Sequence, residues 1–266
     1  MSLPIDMYFV RHGESEGNVA NKHSRKGDNK HFTPEFLARH SGSWRLTDKG
    51  ITQAKAAGNW FKSEGITHFD RYTVSSYNRA LETAALLNLP EAEWKSEYYL
   101  REREWGELDN MPDDERHSRF QESLARREAD AFYWRPPGGE SLAEASLRVD
   151  RHFSTAHRSN ANGRSITVCH GEIMWIVRIR LERMTQREFA RLDASKHPHD
   201  RIHNCQILHY SRRDELGRTH PHMVRMRSIC PWDMSHSSNV WTPILRPSFT
   251  NDDLLSIVSE TKRMVS

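Results

Sequence analysis

The sequence predicts an α/β fold, a three-layer sandwich whose central sheet is mainly parallel, with helices on both faces and a partly helical lid insertion. Three short apolar, β-favouring runs, at residues 8–10, 72–76 and 165–169, alternate along the chain with stretches of helical spacing. Such alternation is typical of a parallel sheet covered by helices. With 266 residues, 36% of them hydrophobic, the chain is long enough to bury one large core. We therefore expect a single domain over residues 1–266.

After the first strand comes a polar and basic stretch, residues 20–45, which we expect to be an extended loop with one helical turn at 34–39. Two interpretations are open: a solvated surface insertion, or a basic flap beside the pocket that favours a multiply charged substrate. Long loops in compact domains are often functional. The basic side chains of this stretch are Lys22, His23, Arg25, Lys26, Lys30, His31, Arg39, His40 and Arg45.

Thr47 is a favourable N-cap for the first long helix, which we expect to stop near Gly65. The apolar residues along one face of this helix are Ile51, Ala54, Gly58 and Phe61. The next strand, 72–76, leads into a helix with Arg79 in its first turn. A helix N-terminus presents unpaired N–H groups and the positive end of the helix dipole, so an arginine there strengthens a site for an anion.

Residues 93–160 interrupt the strand–helix alternation, and we expect them to form the lid over the carboxyl edge of the sheet. The elements predicted within the lid are irregular structure at 93–110, a charged helix from 113 to about 133, a break at 136–139 and a second helix from 140 to about 158. No linker marks the lid as an independent domain.

The run at 165–169 repeats the pattern of the first strand, because it ends in His170-Gly171 and precedes a helix. Thr185 and Glu188 form a capping-box pattern before another short helix. Three further elements are predicted in chain order: strands at 202–210 and 223–229, near the sheet edge, and a terminal helix at 251–263. We expect residues 211–266 to be a C-terminal extension of the domain.

Net charge and cysteine content indicate which partners and which cellular location to expect. The net charge of +3 is spread along the chain, so we expect no nucleic-acid partner. Three cysteines, an odd number without paired spacing, favour a reducing, cytoplasmic location. The apolar run at 7–10 is too short for a signal peptide and no segment is long enough to span a bilayer, so we expect no membrane partner. A homo-oligomer stays open, because the C-terminal extension could pack on its own core or on a second copy.

Two predicted strands end in a histidine followed by glycine, and a third is followed by an arginine at a helix start. In an open α/β sheet these ends converge on one crevice. Arg11, Arg79 and His170 would surround a phosphoryl group with positive charge, while a neutral His12 could attack phosphorus. The neighbouring cations would keep His12 unprotonated by lowering its pKa. The two glycines would let a ligand approach the backbone closely.

Six groups of residues stand in a characteristic order along the chain. They are Arg11-His12-Gly13-Glu14-Ser15 with Asn18, Leu46-Thr47-x-x-Gly50 with Gln53-Ala54, Ser76 with Arg79-Ala80 and Thr83-Ala84, Leu100-x-Glu102 with Gly106, Gly139-Glu140-Ser141, and His170-Gly171. Together they resemble the histidine phosphatase superfamily (branch 1), the group that includes cofactor-dependent phosphoglycerate mutases. The resemblance covers residues 7–210, and the combination is specific although each motif alone is weak.

This resemblance implies a phosphatase that hydrolyses phosphate monoesters through a phosphohistidine intermediate on His12. The residues implied to hold the phosphoryl group are Arg11, Asn18, Arg79, His170 and Gly171. Glu102 would protonate the leaving group and then act as base toward the attacking water, with Glu104, two residues further on, as the alternative. Glu14 would orient the contacting groups by hydrogen bonds. The implied partner is a small phosphorylated substrate, and the mechanism requires no metal and no cofactor.

The sequence also departs from the family pattern. Asn110 stands where related sequences often carry glycine, and mutase-type sequences carry a tryptophan-containing stretch where residues 18–22 stand here. We therefore prefer a phosphatase to the alternative, a cofactor-dependent phosphoglycerate mutase or related phosphotransferase. The identity of the substrate stays open among sugar phosphates, nucleotides, phosphoproteins and small glycolytic phosphates.

Two other classes of function fit the sequence less well than catalysis by His12. A catalytically silent binding protein would be free to lose any of the five residues Arg11, His12, Arg79, Glu102 and His170, and all five are present. Metal binding would use histidine pairs at alternate positions, His197 with His199 and His220 with His222, but no cysteine or carboxylate stands at ligand spacing beside them. Both classes are disfavoured on these grounds.

Overall fold

The computed structural model describes residues 3–265, and these form a seven-stranded sheet. The strands are β1 (Asp6–Arg11), β2 (Arg71–Ser75), β3 (Trp94–Glu97), β4 (Arg164–Cys169), β5 (Ile207–Ser211), β6 (Arg225–Ile229) and β7 (Thr242–Pro243). Their order is β3-β2-β4-β1-β5-β6-β7. Strands β1 to β4 are parallel, whereas β5, β6 and β7 each run antiparallel to the preceding neighbour in the sheet. The predicted α/β class with a mainly parallel sheet is confirmed.

Ten α-helices accompany the sheet within the described residues. They are α1 (Glu16–Ser24), α2 (Pro34–Leu37), α3 (Asp48–Ser63), α4 (Asn78–Leu86), α5 (Asp113–Arg119), α6 (Gln121–Ala129), α7 (Leu142–Ser159), α8 (Gly171–Glu182), α9 (Gln186–Ala194) and α10 (Asn251–Ser259). Successive residues of β1 point to opposite faces, as in any strand. Phe9 packs in a core with α7 and α8, and Tyr8 packs in a second core with α3 and α4. Helices therefore cover both faces of the sheet.

Several predicted helix boundaries are confirmed. Helix α3 begins after Thr47, whose Oγ1 accepts the Gly50 N–H at 3.1 Å. Helix α4 begins at Asn78, with Arg79 in its first turn. At α9 only half of the expected capping box is present: Thr185 accepts the Glu188 N–H, but the Glu188 carboxylate binds Arg191 instead.

The basic stretch 20–45 is more helical than predicted. The expected turn is present as α2, but α1 extends through Ser24 and was not anticipated. This helix buries only small residues, Gly17, Ala20 and Ser24, so its sequence lacks the apolar face that usually signals a helix. The first residues of the 20–45 stretch, which belong to α1, are therefore packed against the rest of the domain.

The lid region also differs from the prediction. Trp94–Glu97 is a sheet strand paired with β2, not irregular structure. The single helix expected from 113 to 133 is two helices, α5 and α6, which meet at Phe120, where φ is −126° and the helix is interrupted. Helix α7 packs into the same core as Phe9. The part that is neither strand nor core helix is thus residues 98–141.

Strands β5 and β6 correspond to the strands predicted at 202–210 and 223–229, but β5 is not near the edge. It lies beside the central β1, with Val10 opposite Ile207. Because β5 is antiparallel to β1, it begins at the edge where β1 ends. Residues 202–206, which lead into β5, consequently lie next to the loop that follows Arg11.

Candidate active site

His12 follows β1 directly, and its side chain is only 2% exposed. Its Nδ1 lies 2.7 Å from the Gly13 carbonyl oxygen, and its Nε2 lies 3.1 Å from Nε of Arg79. A guanidinium can only donate, so Nε2 must accept, and the ring proton therefore sits on Nδ1 and is donated to Gly13. The result is a neutral imidazole with a lone pair on Nε2.

The surroundings of His12 keep it neutral. Burial, followed by the charges of Arg79 and Arg11, holds the pKa of His12 well below its usual value of 6.5. Burial and the same two arginines also lower the pKa of His170 well below its usual value. Both imidazoles are thus uncharged near neutral pH, and the charge of the site comes from the arginines.

Arg11 and Arg79 are held by neutral acceptors. Arg79 Nη1 donates to the Ser41 carbonyl at 2.7 Å, and Arg11 Nη1 donates to the Ile202 carbonyl at 2.6 Å. Neither guanidinium is within ion-pair distance of a carboxylate of the described residues, and Arg11 Nε is buried without a hydrogen-bond partner among them. Two fixed cations whose charge is not neutralised suit an anionic ligand.

His170 lies beside His12, with 5.2 Å between the ring centroids. Its Nε2 is 2.7 Å from Ser75 Oγ, which also accepts the Tyr77 N–H at 3.4 Å. Its Nδ1 is buried and has no partner in the described part of the chain. In the tautomer that carries the ring proton on Nδ1, Ser75 donates to Nε2 and the Nδ1 N–H needs an acceptor. An anion beside His12 would provide the missing acceptor.

The two glycines that follow these histidines, Gly13 and Gly171, lie close to other atoms of the protein. A Cβ on Gly13 would lie 2.4 Å from the Gly50 carbonyl oxygen, and a Cβ on Gly171 would lie 3.3 Å from Arg11 Nε. Gly13 therefore lets the loop pack on the first turn of α3, and Gly171 lets the Arg11 guanidinium lie against the start of α8. The lack of a Cβ therefore allows close packing around His12 and Arg11, and the expected close approach of a ligand to these glycines stays a prediction.

The two candidate acids on the lid differ in their environment. Glu102 accepts the Arg103 N–H at 3.1 Å, and burial together with the charge of Glu172 raises its pKa above the usual 4.5. Glu104 is instead paired with Arg101, whose Nε lies 3.0 Å from its Oε1. A carboxyl group that keeps its proton can donate it, whereas an ion-paired carboxylate cannot.

Glu172 has a position that the sequence did not indicate. It is the second residue of α8, and its Oε2 accepts from Arg103 Nε and from Trp105 Nε1, both at 2.9 Å. It thereby ties the loop that carries Glu102 to the helix that starts at His170. No motif marked this residue, because its partners are 67 and 69 positions away along the chain.

Asn18 and Asn204 lie beside the loop that carries His12. Asn204 Nδ2 donates to the His12 carbonyl and to Asn18 Oδ1, both at 3.0 Å, and Trp232 Nε1 donates to the Asn204 carbonyl at 2.6 Å. Asn18 Oδ1 also accepts the Ser15 N–H, so its amide NH₂ is left for another acceptor. The C-terminal extension thus supports the His12 loop through Trp232.

Glu14 does not contact the phosphate-binding candidates. Its carboxylate binds the Thr47 hydroxyl at 3.1 Å and Lys49 at 3.5 Å, and its carbonyl accepts the Thr47 N–H. The expected orienting role is therefore directed at the start of α3, not at the side chains around His12.

The site contains a cavity of about 360 Å³. The sequence-predicted residues that line it are Arg11, His12, Asn18, Arg79, Glu102 and Gly171; Glu104 lines it as well. His170 is fully buried beside His12 and is not among the residues that line the cavity. Sequence reasoning missed Ser41 and Ile202, since a backbone carbonyl has no sequence signature.

The described residues offer neither a metal site nor a membrane-spanning helix. Among the residues described, no group of three or more His, Cys, Asp or Glu side chains is arranged to hold a metal ion. The same residues contain no helix long and apolar enough to cross a membrane. His220, one of the paired histidines, binds Asp214 instead.

The chain is similar to proteins of one family. The sequence model described as histidine phosphatase superfamily (branch 1) matches residues 7–211. A 2,3-bisphosphoglycerate-dependent phosphoglycerate mutase of Methylorubrum populi is 30% identical over 196 residues, which are 70% of this chain and 84% of that protein. The human 6-phosphofructo-2-kinase/fructose-2,6-bisphosphatase 1 is 28% identical over 64% of this chain and 31% of its own length. An alpha-ribazole phosphatase from Shigella flexneri has the same fold, with a TM-score of 0.61 at 18% identity over 82% of this chain and 95% of that chain.

Proposed function

The chain belongs to branch 1 of the histidine phosphatase superfamily, and from this premise we propose that it is a phosphatase that hydrolyses small phosphate monoesters through a phosphohistidine on His12. The observation that carries the proposal is the state of His12: a buried, neutral imidazole whose Nε2 lone pair lies beside Arg79. A nucleophile in that state needs no base to activate it.

In the first step, His12 Nε2 attacks phosphorus while the bond from phosphorus to the ester oxygen breaks. Arg11, Arg79 and His170 Nδ1 hold the non-bridging oxygens, where negative charge must be stabilised. Glu102 transfers its proton to the departing ester oxygen, so the alcohol leaves neutral. The products of this step are the free alcohol, phosphohistidine and ionised Glu102.

In the second step, ionised Glu102 removes a proton from a water molecule, which attacks phosphorus as the bond to His12 Nε2 breaks. Inorganic phosphate leaves, and Glu102 and His12 return to their starting protonation states. Asn18, whose amide NH₂ is free toward the cavity, adds a hydrogen bond to the transferred group. Both half-reactions use the same residues, because Glu102 acts as the acid in the first step and as the base in the second.

The alternative within the family is a phosphoglycerate mutase, and a specific observation favours it: the 30% identity to a bacterial enzyme of that name. Hydrolysis is preferred here because residues 18–22 lack the tryptophan-containing stretch of mutase-type sequences. As part of the proposal we place the enzyme in the cytoplasm, which is supported by the three free, buried cysteines.

The test is hydrolysis of phenyl phosphate by the wild type and by His12→Ala, with chelator present. Activity in the wild type and a loss of roughly 10⁴-fold or more in the variant would support the proposal. Activity that survives in His12→Ala would refute it. A wild type that does not hydrolyse phenyl phosphate but isomerises phosphoglycerate in the presence of 2,3-bisphosphoglycerate would establish the alternative.

A further inference from the structure

A second set of basic side chains lines the cavity away from His12. Arg116 of α5 and Arg25, which follows α1, both face the cavity, together with Asn21. Arg116 Nε donates to the Leu108 carbonyl at 2.9 Å, and its Nη2 donates to Asn21 Oδ1 at 3.0 Å. Its third nitrogen, Nη1, bonds to no described residue.

Arg116 is held in the same way as Arg11 and Arg79. Its two hydrogen-bond acceptors are a carbonyl and an amide, and neither Arg116 nor Arg25 takes part in an ion pair within residues 3–265. Burial and the neighbouring Arg25 charge lower the pKa of Arg116, whereas the charges of Asp113 and Asp109 raise it. Two guanidinium groups that line one cavity and take part in no ion pair favour binding of an anion between them.

The acidic groups near Arg116 are engaged elsewhere. Asp113 lies 3.5 Å from His117, and Asp109 accepts the Ser41 hydroxyl and the Asn110 N–H. The carboxylates do not close the Arg116 guanidinium off from the cavity, which it lines. It therefore remains available to a ligand.

The two basic ends of the cavity are parts of one frame. Ser41 donates its hydroxyl to Asp109 and gives its carbonyl to Arg79, while the Leu108 carbonyl, one residue before Asp109, holds Arg116. Asp113 N–H donates to Ser24 Oγ at 2.7 Å and so joins α5 to α1. These bonds fix the separation between Arg79 and Arg116, and a fixed separation selects ligands by length.

We propose that Asn21, Arg25 and Arg116 form a second anion subsite, so that the substrate is a phosphate monoester carrying a second anionic group, a carboxylate or another phosphate. The inference rests on the proposed function, since the phosphoryl end of the substrate is placed at His12. It also gives the basic flap a narrower role: of the basic residues in 20–45, Arg25 is the one that reaches the cavity within the described structure.

The test is a series of alkyl phosphates of three to six carbons that end in a methyl group, a carboxylate or a second phosphate. We expect the anion-terminated members to have the higher kcat/KM at one chain length. Arg116→Gln should lower that kcat/KM about 10- to 100-fold more than it lowers the kcat/KM of the methyl-terminated members, the scale of a lost hydrogen bond to a charged group. Arg119→Gln, on the exposed side of the same helix and paired with Glu115, is the matched control.

Arg25→Gln serves as a second variant, because Arg25 is exposed and its side chain forms no hydrogen bond or ion pair with the described residues. Hydrolysis of the whole series without preference for a second anion, or a preference that survives in both variants, would overturn the subsite. Binding of the corresponding alkyl bisphosphonates and monophosphonates, measured by calorimetry, separates the two proposals. If the wild type hydrolyses none of the phosphates, the phosphatase is rejected. If it nevertheless binds the bisphosphonates more tightly than the monophosphonates, and Arg116→Gln abolishes that difference, the subsite is kept.

Discussion

Glu172 Oε2 lies 2.9 Å from Nε of Arg103, the residue whose backbone N–H is bonded to Glu102. Through this contact the first turn of α8 holds the loop that carries the proposed acid. The same carboxylate adds negative charge near Glu102, which disfavours ionisation of Glu102. One side chain thus positions the acid and, after burial, is the next largest cause of its raised pKa.

The pH dependence of catalysis follows from these shifts. The first step needs neutral His12, whose pKa is lowered, and protonated Glu102, whose pKa is raised. We expect kcat/KM to fall at low pH as His12 gains a proton, at a pH well below 6.5, and to fall at high pH as Glu102 loses its proton, above 4.5. Glu172→Gln keeps the shape but removes the charge, so the high-pH limb should move to lower pH while the low-pH limb changes little. A high-pH limb that stays in place would show that Glu172 does not tune Glu102.

A second prediction separates Glu102 from Glu104. Glu102→Gln should lower kcat/KM, which reports the first step, about 10²- to 10⁴-fold with phenyl phosphate, the usual contribution of a general acid. The loss should be smaller with nitrophenyl phosphate, because its leaving oxygen departs without a proton. Glu104→Gln is the matched control, since it removes only a carboxylate already paired with Arg101. If Glu104→Gln showed the larger loss and the leaving-group dependence, the assignment would be reversed.

A third prediction concerns Trp232. Trp232→Phe removes the N–H that is bonded to the Asn204 carbonyl but keeps an aromatic ring in place. We expect a stability loss of about 1 kcal/mol, together with a fall in kcat at nearly unchanged KM, because Asn204 would hold the His12 loop less firmly. Trp60→Phe is the control, as the Trp60 indole lies on α3 against Phe61. Equal kcat values in the two variants and the wild type would limit Trp232 to a structural role.

A fourth prediction concerns Asn110, the position where related sequences often carry glycine. Its φ of 50° is left-handed, and its Nδ2 donates to the carbonyls of Phe36, Leu37 and Arg39 at 2.9–3.0 Å. Asn110→Gly should keep the turn but release residues 34–39, which would raise hydrogen exchange and proteolysis there. Asn88→Gly, at an exposed residue with φ of 47°, is the control and should leave that segment unaffected. Unchanged exchange at 34–39 in Asn110→Gly would count against this tether.

The parts of the fold that the sequence predicts well are those with a strong local pattern. Buried strands such as Arg164–Cys169 and capped helices such as Asp48–Ser63 are read from apolar runs and from the Thr47 cap. The edge strand Trp94–Glu97 is short and half exposed, so it has almost no apolar signal. The placement of β5 beside β1 depends on tertiary packing, which local periodicity does not encode.

The candidate site shows the same division. The residues at the ends of β1 and β4 and at the start of α4 were found because the fold class implies where strand ends meet. The partners that fix them, the Ser41 and Ile202 carbonyls, Asn204 and Glu172, come from distant segments and from backbone atoms. Long-range contacts of this kind leave no recognisable motif in the sequence.

The hydrogen bond from Arg79 to His12 has a chemical consequence for the enzyme at rest. While Arg79 occupies the Nε2 lone pair, that nitrogen is masked against alkylating agents and stray metal ions. In the proposed mechanism, an incoming phosphoryl group would offer Arg79 a stronger, charged acceptor, and the guanidinium would then turn from the ring to the phosphoryl oxygens. The nucleophile would thus be unmasked by the arrival of a phosphate, and selectivity for phosphoryl compounds would begin before any bond is made.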